Sequence, residues 1–161
     1  MVNRDDFRSA MSKFATGVTV ISSVDDNGDP HSMTANSFTS VCLDPPMVLV
    51  CVAHGTNTNG FVSSNGRFGV NILLEEQEAL GAYFAKRPED RVGDVEYTYN
   101  TDDSGVPVLK DSMVSFSCNV SGTHVYGDHT IYVGEVVNLH LGDSGEPLMF
   151  FQSRWYHPGK Q

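Results

Sequence analysis

The sequence predicts a mainly β protein whose long strands close into a barrel, with two or three helices outside it. The clearest sign is the alternation at 114–121, where apolar residues are separated by Ser or Asn. A second alternating run follows at 130–141, and an unbroken apolar run occupies 47–53. Long strands joined by short turns favour a closed barrel, because closure removes exposed strand edges.

The N-terminal segment 3–15 is predicted to form a short amphipathic helix. Asn3 supplies a capping side chain, and Asp5 and Asp6 in the first turn suit the positive end of the helix dipole. The apolar residues recur at helical spacing, at Phe7, Ala10, Met11 and Phe14. We expect Gly17 to end this segment, so that a strand begins at residue 18.

Strands and two further helices account for most of the remaining chain. We predict strands at 18–24, 31–38, 47–53, 68–73, 114–121, 130–141 and 148–156. Because the run 47–53 is apolar throughout, it should be buried on both faces. We predict helices at 57–65 and at 75–86, the second having acids at its start and Lys86 and Arg87 at its end. A hairpin-type turn at 25–30 and a polar loop at 88–106 connect these elements.

On the predicted strand 130–141, one side is apolar except at a single charged residue. The apolar residues on that side are Ile131, Val133, Val137, Leu139 and Leu141. Glu135 interrupts them. Its carboxylate either points into a subunit interface or pairs with an arginine, and the sequence leaves both readings open.

Length, charge and cysteine content limit the kind of protein. At 161 residues the chain suits one domain, 1–161, with a proper core. Ten basic and twenty acidic residues give a net charge of −10, which repels nucleic acid and anionic membranes, so neither is expected as a partner. Any phosphate site must therefore use local donors. Three scattered cysteines, with no signal peptide or long apolar run, predict a cytoplasmic protein.

The segment 32–40 concentrates small hydroxyl and amide side chains just before the apolar run 47–53. Neutral donors in this number suit a planar, polar ligand that carries a phosphate. An ordinary Ser- and Thr-rich loop between two strands would explain the composition equally well. On these residues alone, both interpretations stay open.

Other sequence patterns for chemistry are weak. The six histidines lack the i, i+4 spacing of helical zinc motifs, so no metal site is expected. Neither a nucleophile elbow nor a cysteine in an electropositive setting is found. A nicotinamide dinucleotide would have to bind without a Rossmann unit, because G-x-G-x-x-G is absent. His129 follows Gly127 and Asp128 in a predicted turn, so it would project at the barrel rim.

Four sequence blocks resemble the short-chain flavin reductase family, the reductase components of two-component flavin monooxygenases. The blocks are F-A-T-G-V-T-V-I at 14–21, M-T-A-N-S-F-T-S-V at 33–41, D-P-P-M-V-L-V-C-V at 44–52 and G-D-H-T-I-Y-V-G-E-V at 127–136. The likeness runs in order from about residue 7 to residue 156. It implies a Greek-key-like, FMN-binding split β-barrel that forms a homodimer, with FMN or FAD near the subunit interface.

The same resemblance implies an activity. NADH or NADPH would reduce the flavin by hydride transfer, and the reduced flavin would leave for a separate flavin-dependent monooxygenase. Because the flavin carries the redox chemistry, we expect no catalytic proton donor or acceptor among the residues of the protein. The sequence leaves open whether the flavin is FMN or FAD and whether the hydride donor is NADH or NADPH.

Carried over position by position, the resemblance implies three groups of cofactor-binding residues. The residues expected to line the flavin ring and ribityl chain are Met33, Thr34, Ala35, Asn36, Ser37 and Thr39. Those expected around the ribityl chain and phosphate are Cys51, Val52, Ala53, Thr56, Asn57 and Thr58. A helix that begins after residue 56 suits the phosphate, since helix N-termini bind anions. Lys86 and Arg87 would supply positive charge near the flavin phosphate or adenosine.

The resemblance assigns two residues to the nicotinamide side. His129 would position the nicotinamide, and Tyr156 belongs to a C-terminal segment that helps to cover the dinucleotide. The sequence departs from the family pattern at Ser32, where Gly is common, and in the tail 154–156. Two other functions stay open: a split-barrel flavin-binding protein without dinucleotide turnover, and a non-enzymatic barrel that carries a ligand.

Overall fold

A computed structural model of the chain describes residues 1–142 and 144–158. Within this part, the helices are α1 (Arg4–Met11), α2 (Asn57–Asn65) and α3 (Glu78–Phe84). The strands are β1 (Thr16–Gly17), β2 (Thr19–Val24), β3 (Pro30–Ala35), β4 (Phe38–Leu43), β5 (Pro46–Ala53), β6 (Arg67–Ile72), β7 (Tyr99–Thr101), β8 (Pro107–Leu109), β9 (Val114–Tyr126), β10 (His129–Leu141), β11 (Met149–Phe151) and β12 (Arg154–Tyr156). Short 3₁₀ turns lie at Glu75–Gln77 and Pro88–Asp90.

Seven strands form one antiparallel sheet in the order β3-β2-β6-β9-β10-β5-β4. Its two end strands, β3 and β4, are consecutive in the chain and are joined only by Asn36 and Ser37. The Cα atoms of Ala35 and Phe38 are therefore at most ~11 Å apart. The sheet must curl to bring its two ends to this short link, which we call the β3–β4 link.

The curled sheet encloses a hydrophobic core that includes Ile21, Phe68 and Tyr132. Met33 of β3 and Phe38 of β4 both pack against this core, so opposite ends of the sheet share it. The predicted mainly β architecture with peripheral helices is confirmed. Among the described residues, no backbone ladder joins β3 to β4, so hydrogen bonding does not close the curl.

The N-terminal helix is shorter than predicted and lies on the surface. As expected, the Asn3 side chain caps it, accepting a hydrogen bond of 2.8 Å from the backbone N–H of Asp6. The helix ends at Met11, before a turn that leads to β1. None of its residues is buried, and Phe7 is 60% exposed. Its apolar side chains are therefore not part of the core.

Two strand predictions need correction near the β3–β4 link. The segment predicted as one strand at 31–38 is divided, because β3 ends at Ala35 and a separate strand, β4, begins at Phe38. Polar residues hid β4 from the sequence patterns. The expectation that 47–53 is buried on both faces is wrong for this chain. Val48, Val50 and Val52 are buried, whereas the alternate residues of β5 are only half-buried.

The burial of the two longest strands differs from that expected. The apolar side of β9 does face the core, where Cys118 is buried and Phe116 and Val120 pack against it, but the opposite side is covered as well. Ser115 and Ser117 of β9 are buried, because the β7–β8 hairpin contributes Asp102 on that side, and the Ser117 hydroxyl donates to its carboxylate at 2.6 Å. On β10 the buried residues include Tyr132, while Leu141 on the predicted apolar side is 71% exposed. The apolar side of β10 therefore lies partly at the surface.

The segments 75–86 and 148–156 are less regular than predicted. The helix expected at 75–86 is a 3₁₀ turn followed by the short α3, which ends at Phe84. The strand expected at 148–156 is a hairpin, β11–β12, paired with β1. We call it the C-terminal hairpin. Within the described ranges, no helix has the length and apolar character needed to cross a membrane.

Candidate functional site

Two neighbouring cavities lie where β3, β5 and β10 end. The first, called the α2 cavity, has a volume of about 440 Å³ and lies between β3, the N-terminus of α2 and the segment after α3. The second, called the α1 cavity, has a volume of about 490 Å³. It lies between α1, the β3–β4 link, the β9–β10 turn and the C-terminal hairpin.

The α2 cavity contains a helix N-terminus prepared for an anion. Thr56 caps α2 by accepting a hydrogen bond from the N–H of Asn59 at 3.3 Å. The first-turn amides of a helix have no acceptor within the helix, so they face outward from its end. Thr58 lies in this turn, is fully buried, and its hydroxyl has no hydrogen-bond partner among the described residues. The Thr58 hydroxyl and the N–H groups of Asn57 and Thr58 are therefore donors without an acceptor in a wall of the cavity.

The opposite wall of the α2 cavity carries positive charge. Lys86 and Arg87 line it, as does Arg91, which the sequence patterns did not single out. The Arg91 guanidinium donates to the backbone oxygen of Ser32 at 2.7 Å and that of Lys86 at 3.2 Å. It also lies 5.0 Å from the ring centroid of Phe84. Arg91 therefore ties β3 to the end of α3 and fixes this wall.

His31 is a second cavity residue that sequence reasoning missed. It lines the α2 cavity, and its ring meets that of Phe61 edge-on at 5.0 Å. Burial, and then the nearby positive charge of Arg91, lower the pKa of His31. Its imidazole is thus neutral at pH 7 and able to accept or donate a hydrogen bond.

The α1 cavity contains the predicted rim histidine. His129 lies there with Asn36 and Ser37 of the β3–β4 link. The Asp128 carboxylate is 2.7 Å from Nδ1 of His129, and the hydrogen bond and charge of His129 lower the pKa of Asp128. The imidazole is consequently oriented by its own turn, with Nδ1 engaged.

The two cavities adjoin each other at the strand ends. Thr34 lines the α2 cavity, and Asn36, two residues later, lines the α1 cavity. Ala53 of the α2 cavity is the direct ladder partner of His129 of the α1 cavity. In an antiparallel ladder such partners have Cα atoms about 5 Å apart. A planar ligand at these strand ends would therefore touch residues of both cavities.

Most of the residues assigned from the sequence lie in these cavities. In the α2 cavity are Met33, Thr34, Ala53, Thr56, Asn57, Thr58, Lys86 and Arg87. In the α1 cavity are Asn36, Ser37 and His129. The structure thus brings together eleven assigned residues from five separate parts of the chain.

Five assigned residues line neither cavity. Val52 is fully buried in the core, and Ala35 packs against that core. Cys51 is half-buried, and its backbone N–H donates to the Ser37 oxygen at 3.0 Å. Thr39 is exposed on β4, and Tyr156 is exposed on the C-terminal hairpin, away from both cavity walls. Val52 as a whole residue is 0% exposed, so it supports the site from the core and does not line it.

Positive charge is concentrated at this site in an otherwise acidic protein. Five of the ten basic residues line the two cavities, namely Arg4, Arg8, Lys86, Arg87 and Arg91. Within residues 1–142 and 144–158, the acidic residues that do so are Glu89 and Asp128. The site is therefore locally suited to anionic ligands, although the whole chain carries a charge of −10.

Comparison with known proteins identifies the architecture. A family model described as a flavin reductase-like domain matches residues 11–159, which is most of the chain. The chain belongs to the flavin reductase-like family. Its predicted resemblance to flavin reductases is thereby confirmed.

Three relatives illustrate the similarity. The chain is 38% identical over 152 residues to the NADH-dependent flavin reductase StyB of Pseudomonas fluorescens, covering 93% of this chain and 87% of the relative. It is 42% identical over 150 residues to a flavin reductase (NADPH) of Lentzea aerocolonigenes, covering 92% and 86%. The solved structure of the styrene monooxygenase flavin reductase SMOB from Pseudomonas putida S12 superposes with a TM-score of 0.85 at 37% identity, covering 97% of this chain and 99% of that one.

The residues of this flavin reductase-like chain fit a flavin phosphate. The buried hydroxyl of Thr58 has no partner among the described residues, and the N–H groups of Asn57 and Thr58 have no acceptor within α2, since the cap Thr56 takes only that of Asn59. Lys86 and Arg87 lie across the same cavity and supply the opposite charge. A phosphate monoester would satisfy the hydroxyl, the amides and the cations together.

Proposed function

We propose that this protein is an NAD(P)H-dependent flavin reductase, which reduces FMN or FAD and releases the reduced flavin to a separate monooxygenase. The observation that carries the proposal is the pair of adjoining cavities, each lined by its own arginines and meeting at Ala53 and His129. A hydride transfer between two bound heterocycles requires two neighbouring sites of this kind. Family membership and the flavin reductase relatives support the same function.

The α2 cavity would hold the flavin. Its phosphate would accept hydrogen bonds from Thr58 and from the first turn of α2, with Lys86 and Arg87 adding charge. The ring would extend along the end of β3, past Met33 and Thr34, towards the β3–β4 link. Thr39 and Cys51 are proposed to contact the flavin only at the edges of this path, and Val52, which is fully buried, to support the path from the core.

The α1 cavity would hold the nicotinamide dinucleotide. When bound, the flavin accepts the hydride, so the protein has only to orient the two partners and exclude water between them. His129, whose Nδ1 is engaged by Asp128, would present its other ring nitrogen to the nicotinamide. Tyr156, on the same C-terminal hairpin as the cavity residue Phe150, is proposed to help cover the dinucleotide. Neither residue is proposed to transfer a proton in the chemical step.

A homodimer is part of the proposal. Several apolar side chains on β4 and β10 are exposed in the single chain, including Leu43 at 91% and Leu139 at 53%. Exposed apolar strands of this kind mark contact surfaces. We propose that the chain, acting as one domain over 1–161, covers them by pairing with a second copy, as a split barrel with the flavin near the shared surface.

The partner enzyme is proposed from one relative. The matched structure SMOB is described as the flavin reductase of a styrene monooxygenase. By analogy, this protein would supply reduced flavin to a separate flavin-dependent oxygenase.

The decisive experiment is an absorbance assay at 340 nm with purified protein, NADH or NADPH, and FMN or FAD in air. Consumption of the dinucleotide that requires both flavin and protein supports the proposal, and the four combinations rank the cofactors. Protein that binds flavin but consumes neither dinucleotide would instead be a flavin-binding protein without turnover. Protein that binds no flavin would refute both.

A further inference from the structure

We propose that the α1 cavity binds the adenosine diphosphate half of the dinucleotide, with Arg4 and Arg8 contacting its phosphates. The inference rests on the proposed function, because it assigns a subsite to the dinucleotide of that reaction. Arg4 and Arg8 lie in α1, outside the four sequence blocks that carry the family resemblance. The argument uses their spacing, their charge and the surfaces around them.

The α1 residues that line the cavity form one stripe along the helix. They are Arg4, Phe7, Arg8 and Met11. Residues spaced i, i+3, i+4 and i+7 lie on one helical face, so all four side chains point the same way. Asp5 and Asp6 lie outside this stripe. The helix therefore directs two cations into the cavity and keeps its acids away from it.

Neither arginine is engaged in a close ion pair, although Arg4 is near enough to Asp128 for its charge to help lower the pKa of that carboxyl. Among the described residues, no ion pair within 4.0 Å involves Arg4 or Arg8. The single carboxylate in the cavity wall, Asp128, is held by His129 at 2.7 Å. Guanidinium groups bind phosphate oxygens in a fork geometry and are weakly hydrated, so a pair of them suits a diphosphate.

Aromatic rings surround the same space. Phe7 is 60% exposed and Phe14 is 69% exposed, and both line the cavity together with Phe150 of the C-terminal hairpin. Exposed aromatic faces beside cations suit a purine base next to its phosphates, since base–aromatic stacking contributes on the order of 1–3 kcal/mol. Adenine is the aromatic base of the proposed ligand.

A strained turn holds the far wall in place. Gln152 and Ser153, at the tip of the C-terminal hairpin, both have positive φ, at 50° and 60°. The backbone N–H of Gln152 donates to the Ser12 oxygen at 2.7 Å, just beyond α1. Left-handed residues other than Gly persist where surrounding contacts enforce them, and they gather at ligand sites. The turn fixes the distance between Phe150 and α1.

The test compares NADH with reduced nicotinamide mononucleotide (NMNH), which lacks the adenosine monophosphate half. Arg4→Gln, Arg8→Gln and the double variant are assayed with both donors under saturating flavin. We expect KM for NADH to rise about tenfold for each single variant, because each loses a charge-assisted contact. The rise should be several times smaller with NMNH. Lys13→Gln, which removes an exposed cation just after α1, is the matched control and should change neither KM.

Direct binding supplies a readout that does not depend on turnover. ADP-ribose lacks the nicotinamide ring, and its binding to the wild-type protein is measured by calorimetry. We expect the double variant to lose at least tenfold in affinity for ADP-ribose, with an unchanged unfolding temperature. Sedimentation of each variant reports whether these arginines instead stabilise a protein–protein contact.

The subsite would be overturned by equal losses with NADH and NMNH, by an equal loss in Lys13→Gln, or by a change of oligomeric state in the arginine variants. Wild-type protein that fails to oxidise NADH with any flavin would refute the proposed function itself. Wild-type turnover with unaffected arginine variants would refute the subsite alone.

Discussion

The hydroxyl of Tyr132 on β10 lies 2.9 Å from the side-chain oxygen of Asn59 and 3.0 Å from its backbone oxygen. Tyr132 is almost fully buried in the core, whereas Asn59 lies in the first turn of α2. The contact therefore joins the sheet core to the helix end that faces the proposed flavin phosphate. It fixes where the first-turn amides of α2 point.

Replacing Tyr132 by Phe should test this connection. Removing one buried hydrogen bond should lower the free energy of unfolding by about 1 kcal/mol, because Asn59 loses a donor. Flavin affinity should fall as well, since the end of α2 is less firmly placed. Urea unfolding and flavin titration measure the two effects. Tyr126→Phe is the control, because Tyr126 is 68% exposed. Equal stability losses in the two variants would contradict the stated role.

Thr58→Val tests the phosphate position with little change in shape. Without ligand, the free energy of unfolding should stay level or rise slightly, because a buried hydroxyl without a partner is removed. The affinity for FMN should fall about tenfold through loss of a hydrogen bond to a charged group. Riboflavin, which has no phosphate, should bind as before.

Fluorescence titration with both flavins supplies the comparison for Thr58→Val. Ser64→Ala is the control, because Ser64 lies at the other end of α2 and bonds only to the Phe61 oxygen, at 3.2 Å. The phosphate assignment would be wrong if riboflavin and FMN lost affinity equally.

His129→Ala should weaken nicotinamide binding more than it slows hydride transfer. The imidazole orients the donor and carries no proton in the step, so KM for NADH should rise several-fold while single-turnover reduction at saturating NADH stays within a few-fold. Stopped-flow absorbance separates the two. His124→Ala on β9, outside both cavities, should match the wild type. A collapse of the saturated rate by several orders of magnitude with unchanged affinity would contradict the prediction.

Asp102 should make stability depend on pH in the acid range. Burial raises its pKa, but hydrogen bonds from Ser104, Ser117 and Asn138 outweigh that effect, and the net pKa is lowered. A lowered folded pKa stabilises the protein above the unfolded value of about 3.9, and this stability is lost as pH falls through the folded pKa. Asp102→Asn should therefore be less stable at pH 7 by about 1–3 kcal/mol, since an amide nitrogen cannot accept these bonds.

The free energy of unfolding of both proteins is measured in urea at about one-unit steps between roughly pH 2 and pH 7. The difference between wild type and Asp102→Asn should shrink towards the acid end. Asp103→Asn is the control, because Asp103 is the next residue in the chain and is exposed. A difference that stays constant with pH would show that Asp102 contributes through shape and not through charge.

Local patterns in the sequence located the elements that shape one wall of the site. The helix after Thr56 was predicted at 57–65 and lies at Asn57–Asn65, because its cap and its ends are local signals. The strand after it was placed to within about one residue. Family resemblance then supplied residues such as Lys86, Arg87 and His129, which no periodicity would have selected.

Long-range packing produced the features that the sequence did not reveal. Ser117 looked solvent-facing, but Asp102 between β7 and β8, 15 residues earlier, covers it. Arg91 sits in a polar loop and becomes a cavity residue only because Phe84 and the Ser32 oxygen meet it there. Arg4 and Arg8 were not singled out from the sequence, although residues four apart share one face of a helix. The spacing could not show that the C-terminal hairpin lies opposite.

Clustering half of the cations in two hollows of an acidic molecule has a kinetic consequence. At low ionic strength a negatively charged visitor meets a repulsive field reaching roughly 30 Å, which shrinks to about 8 Å at physiological salt. Salt therefore speeds association by screening the long-range repulsion. It also weakens the attraction between the arginines and a bound anionic ligand. Arrival and departure accelerate together, so a shuttling cargo exchanges faster in the crowded electrolyte of a cell than in dilute buffer, at similar occupancy.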